Sequence, residues 1–219
     1  MASGLAGMAE GIAQSNENMK QATRRIGQAV EAGEGLIQAV NETGVETDDS
    51  PFIAYVSELA QNLGQLLETA IADGRLQESV VFSDDYQPIA GSDPEQFNHP
   101  LTGFTDDHFT DYFEQALGFD ARVVTCATVD RNGFVPTHNR KYSHTPRPGD
   151  AEWNEANCRN RRFYKDSANM KVAKSRKAFH LQTYRRNIGD GTVQLLKDVS
   201  VPITVSGRHW GAARLVYNS

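Results

Sequence analysis

The side chains able to do chemistry are few and scattered. Cys126 and Cys158 are the only two cysteines, without the paired short spacing of a zinc site or the density of a disulfide scaffold. Cys126 reads as a small apolar side chain and Cys158 as an incidental thiol, although Arg159 beside it would lower a thiol pKa. His138 and His144 form an H-x5-H pair in an irregular segment, and His209 stands alone further on. With no cysteine at short range and no C-x-x-C-H, these are poor zinc or haem ligands, and a histidine bonding its own loop is the plainer reading. Were one to hold iron or haem, His138, next to Asn139 at a strand end, is the best placed. Trp153 and Trp210 read as core. No nucleophile elbow, phosphate-cradling glycine loop or paired-carboxylate motif occurs, so the chain is expected not to be an enzyme and to require no cofactor.

Charge is strongly segregated. The net charge is -6, yet residues 1–130 hold 5 basic and 22 acidic side chains, 131–186 hold 14 and 4, and 187–219 hold 3 and 2. Opposite fields of this kind suit a pocket for an anionic small molecule, or neutralisation of one segment by the other. The basic stretch has no regular basic helix or aromatic-basic strand, so nucleic acid is not the expected partner. No run reaches the length of a spanning helix, and residues 1–12 lack the pattern of a signal peptide. With the sparse cysteines, this predicts a soluble, cytoplasmic chain without membrane insertion.

The elements that must position these groups follow from periodicity. Leu5, Met8, Ile12, Ser15, Met19, Ala22, Ile26, Ala29, Gly33, Leu36 and Val40 alternate by three and four, a heptad seam needing a partner helix, from the same chain or a second copy. After a polar break, Ser50-Pro51 starts a second helix carrying Phe52, Val56, Leu59, Leu63, Leu66 and Ala70, stopped at Asp73-Gly74. Together they predict a two-helix arm over 1–77. Residues 78–118 read as an irregular linker, with a short strand at Val80–Phe82 and a helix over Asp106–Leu117. From 119 the period becomes strand-like: Arg122–Val129 and Phe134–Thr137 flank the turn Asp130-Arg131-Asn132-Gly133. A short helix is expected over Ala156–Tyr164. Three strands follow at Phe179–Arg185, Val193–Val205 and His209–Tyr217, with turns at Gly189-Asp190-Gly191 and Ser206-Gly207. The result is an α+β chain whose domain, 119–219, has a five-stranded, mainly antiparallel sheet.

These segments resemble a known family. D-R-N-G-F (130–134), R-R-F-Y (161–164), Q-T-Y (182–184), K-D-V-S-V-P-I-T-V-S-G (197–207) and W-G-A-A-R-L-V-Y (210–217) are similar to the PAS/Cache-like sensory domains of bacterial methyl-accepting chemotaxis proteins. The run from Pro136 to Asn160 looks like a variant found behind the signalling helices of some cytoplasmic chemoreceptors. L-A-G-M-A-E-G-I-A-Q-S (5–15) is similar to the returning helix of a chemoreceptor bundle. The glutamate-rich hairpin tip that engages the kinase has no counterpart here, so kinase control is not implied.

The resemblance implies a ligand-binding set of Arg162, Phe163, Tyr164, Tyr184 and Asp198, with Arg161 competing with Arg162. A guanidinium would fork a carboxylate, aromatic walls would exclude water, and the acid would hold an ammonium or order a water. The function implied is chemotaxis-type signal transduction by a homodimer joined through its N-terminal helices, which binds a small ligand and relays a conformational change. Docking on other chemoreceptor helices is a further implied partnership. A ligand-free dimerisation or docking module and a haem or metal redox sensor are the alternatives.

Overall fold

The computed structural model describes residues 2–43, 45–187 and 193–219, with some side chains of the first helix and of the strand ends at 185–193 left undescribed. The turn expected at 189–191 lies outside the described residues, as do the side chains of Leu5 and Met8. In chain order come helices α1 (Ala2–Glu42), α2 (Ser50–Ala72) and α3 (Glu78–Val81), strands β1 (Gln87–Pro88) and β2 (Phe97–Asn98), helix α4 (Thr102–Leu117) and strands β3 (Val123–Asp130) and β4 (Phe134–Val135). A 3-10 turn at Arg140–Tyr142, helix α5 (Ala151–Asn157), strand β5 (Arg162–Phe163), helix α6 (Ser167–Lys174) and strands β6 (His180–Asn187), β7 (Val193–Val205) and β8 (Arg208–Asn218) complete it. No described helix is long and apolar enough to cross a membrane.

The chain forms two compact units, Met1–Glu46 and Thr47–Ser219. The first is a single long helix whose heptad residues Ile12, Met19, Ile26 and Leu36 are 60, 61, 65 and 67% exposed.

The second unit begins earlier than residue 119, and α2 belongs to it rather than to a two-helix arm over 1–77. α2 packs on β7 and β8, burying Phe52, Val56, Leu59, Ala60, Leu63, Gly64, Leu67 and Ala70. Leu67 displaces the expected Leu66 because a straight helix on a sheet keeps its 3.6 period, whereas a heptad seam needs 3.5. Gly64 allows the close approach: a Cβ there would sit 2.8 Å from the Thr204 carbonyl oxygen. α4 packs on β3, and its Phe109 meets Trp210 of β8 edge to face.

The main sheet is antiparallel with four strands, in the order β3-β8-β7-β6. The expected fifth strand leaves the ladder. Pro136 has no N–H to donate, and β4 pairs instead with β5, Phe134 opposite Phe163 and Val135 opposite Arg162. The chain touches β3 again at a single bridge, Ala127 with His138. The departure is fixed at the turn, where the Asp130 carboxylate accepts from the backbone N–H of Asn132 and Phe134. Gly133 there has φ 85°, and a Cβ would lie 2.8 Å from the Tyr164 carbonyl oxygen.

Other expectations shift with it. The helix predicted over 156–164 ends at Asn157, so residues 161–164 sit on and beside a strand. Val80 and Val81 are helical instead of extended, and α6 lies in a stretch to which the sequence pattern assigns no element.

Candidate functional site

Alternation along β7 and β8 sends successive side chains to opposite faces of the sheet. Val199, Val201 and Ile203 lie beneath α2. On the far side, under α6, the paired positions are polar: Gln182 lies opposite Asp198, and Ser200 opposite Arg214. Asp198 is fully buried. Its carboxylate accepts from Arg214 Nη2 and, at 2.8 Å, from Gln182 Nε2. The Arg214 side chain is 16% exposed and also donates from Nη1 to Asn169 Oδ1 on α6 at 2.6 Å. Burial works against the arginine's charge, but the Asp198 carboxylate outweighs it and raises the Arg214 pKa.

Tyr164 forms one wall. Its ring packs on Ala127, Val129, Val135, Val172, Ala173 and Ala212, and its hydroxyl donates to the Arg159 carbonyl at 3.2 Å. Burial raises its pKa, while Arg162, Arg159 and Arg214 pull in the other direction. His138 sits in the same field. Burial first, then Arg159, Arg214 and Lys141, lower its pKa to about 3, so the imidazole is neutral at ordinary pH. Its Nδ1 accepts from the Asn139 N–H at 2.8 Å, and its ring meets Tyr142 edge to face at 5.1 Å. Arg159 lies 5.0 Å from the centre of that same Tyr142 ring.

The six residues implied by the resemblance divide. Tyr164, Asp198 and Tyr184 share the sheet face beneath α6, Tyr184 being 38% exposed and close enough to act electrostatically on Arg214. Arg162 flanks them, 5.4 Å from the Tyr164 ring centre, with its charge paired to Glu155 at 2.8 Å. Arg161 and Phe163 go elsewhere. Arg161, with φ 59°, pairs with Asp106 at 2.8 Å and Asn98 at 3.2 Å, fastening β5 to α4 and β2. Phe163 joins an aromatic cluster with Tyr86, Phe97 and Phe134.

Arg214, Asn169 and Arg159 belong to the site although sequence reasoning passed over them. A signal for Arg214 was present: it is the one charged residue between His209 and the end of a strand otherwise apolar enough to be buried, and a buried arginine implies a partner.

His144 lies against Trp153 at 5.5 Å, and Cys158 is buried with its pKa raised by that burial more than Arg162 and Arg147 lower it. It is therefore a poor nucleophile, and the expected help from Arg159 is replaced by that of other arginines. Among the described residues no three His, Cys, Asp or Glu gather as a metal site. Neutral His138 keeps lone-pair chemistry, but its Nδ1 is already engaged. What the face can do is recognise charge: a guanidinium fork, a carboxylate and an amide meet at its centre, with arginines around the edge. No protein-family model matches the chain, and no curated protein matches it significantly.

Proposed function

We propose that the chain is a chemoreceptor-type sensory module of PAS/Cache-like character, which binds a small anionic ligand on the sheet face under α6 and relays the change to its helical arm. The observation that carries this reading is the buried Asp198–Arg214 pair, with Arg159 and Lys141 near enough to act together with Arg214 on His138. A carboxylate ligand would take the Arg214 fork and release Asp198 to Gln182 or to a ligand ammonium. The field of the surrounding cations favours that exchange. The relay requires the ligand to bind one arrangement better than another, since equal affinity moves no equilibrium.

The arm suits the output role. Its exposed seam of Ile12, Met19, Ile26 and Leu36 has the spacing of a dimeric coiled coil, and a second copy of the same helix is the partner proposed for it. The competing reading, a ligand-free docking module, draws on one feature: Arg214 has all its charge satisfied internally by Asp198 and Asn169.

Calorimetry against a library of small carboxylates separates the two. The sensor reading expects saturable binding to the intact protein, lost in Arg214→Met and retained in Arg161→Ala. A folded protein that binds none of the library would leave the docking module standing. Binding that survives Arg214→Met would place the ligand on some other part of the chain.

A further inference from the structure

α6 has two faces. Asn169, Val172 and Ala173 turn to the sheet, while Met170 and Lys174 line an open cleft of about 460 Å³ on the other side. Phe163, Tyr86, Asn132 and Lys165 complete most of its wall, and the volume falls within the range of small-molecule sites. None of the residues centred on Arg214 takes part.

The floor is built and rigid. Tyr86 and Phe163 meet edge to face at 4.8 Å, and Phe134, Phe97 and His99 pack behind them. The Tyr86 hydroxyl donates to Asp130 and accepts from Asn132 Nδ2 at 2.8 Å, so the ring cannot swing away. Burial first, and Asp130 after it, raise the phenol's pKa, so it remains a neutral donor.

The charges at the mouth do not balance. Asp84 also lines the cleft, but its carboxylate is taken by Arg131 and by Asn132 Nδ2. The Lys165 ammonium lies 4.1 Å from the centre of the Phe163 ring, and Lys174 stands on the facing helix. An aromatic floor below two ammonium groups is complementary to a flat ring that carries an anion. The ring would stack against Phe163 and the Met170 thioether, and the anionic group would draw Lys165 off the ring and bridge it to Lys174.

The geometry points to this cleft as a second ligand site, for a small aromatic carboxylate, distinct from the sheet-face site and independent of whether that site binds anything. 2-Naphthoate is a suitable probe because its own fluorescence reports transfer to an apolar site.

The expected result is saturable binding to the full chain together with a shift of the Met170 methyl resonance. The exposed double variant Lys165→Ala/Lys174→Ala should weaken it roughly tenfold, the sum of two surface charge contacts, and Arg140→Ala, an exposed charge outside both sites, should leave it unchanged. Three outcomes would overturn the assignment: no saturation, equal affinity for 2-naphthol, or full binding by the lysine variant with no change at Met170.

Discussion

Asp49 is placed to cap α2 but does not do so. It precedes the helix, yet its side chain makes no capping bond and turns instead into the sheet, where it is 5% exposed. Lys197 Nζ donates to its two oxygens at 2.8 and 3.0 Å, and the Tyr217 hydroxyl donates to one of them at 2.9 Å. Asp49→Ala would strand an ammonium whose side chain is 21% exposed and a buried phenol. Breaking a buried pair by removing one partner costs about 3–5 kcal/mol. Lys197 keeps a path to water, which argues for about 3 kcal/mol, and the unpaired phenol adds about 1 kcal/mol. The assay is urea unfolding followed by the fluorescence of Trp210, which is 2% exposed and reports the sheet. With a slope of about 2 kcal/mol per molar, the midpoint should fall by about 1.5–2 M. Lys197→Met should cost a similar amount, and the double variant less than the sum, with a coupling of about 1–3 kcal/mol. A fall below about 0.5 kcal/mol, or strict additivity, would refute the assignment of Asp49 as the anchor of α2 on the sheet.

The second buried pair should behave alike. Arg214→Met alone leaves Asp198 charged and buried and should cost about 3–5 kcal/mol, whereas Arg214→Met/Asp198→Leu should recover most of that loss in the same unfolding assay. His138, with its pKa lowered to about 3, stays neutral in the folded chain while the unfolded chain takes up a proton near pH 6.5. The unfolded state therefore binds more protons between these values, and stability should fall as pH drops from about 6.5, by up to about 1.4 kcal/mol per pH unit. Asp130, whose pKa burial raises, works with the opposite sign, so the test is the difference between wild type and His138→Gln, which should lose the histidine's share of the slope. In the arm, Ile26→Asp should convert the dimer proposed above to monomer in sedimentation and leave the unfolding midpoint of residues 47–219 unchanged; a dimer that persists would place the contact elsewhere.

Strands were the most legible part of the sequence. Val193–Val205 was read with its observed limits, and β8 to within one residue at each end, because β-branched runs bounded by glycine turns carry a local signal. The second strand failed for a reason that is not local: Pro136 and the Asp130 turn release it, and only the distant Arg162–Phe163 segment can take up its hydrogen bonds. α2 was found as a helix and misplaced as an arm, since an apolar stripe says that a helix is buried but not against what. Periods of 3.5 and 3.6 are hard to separate over six apolar positions. For the site, the residue types were legible and their directions were not. R-R-F-Y was read as part of a helix whose Arg162, Phe163 and Tyr164 would all reach one ligand; as a strand it sends Phe163 into the aromatic cluster and Tyr164 under α6.

The position of the two buried ion pairs gives the sheet its character. Lys197 and Asp198 are consecutive on β7, so they point to opposite faces: Lys197, opposite Tyr217, shares Asp49 with it, and Asp198 reaches diagonally to Arg214, which lies opposite Ser200. Replacing such pairs by apolar side chains of similar volume is often stabilising, and the neighbours Val199, Val201 and Ile203 show that this strand accommodates them. Charges kept there at a cost in stability fix geometry instead. On one face the charge fastens the first turn of α2, and on the other it fastens α6 through Asn169. A shift of β7 large enough to break the Asp198–Arg214 contact would therefore act on the Lys197–Asp49 contact through a single peptide unit, seven residues along the chain from the end of α1 at Glu42.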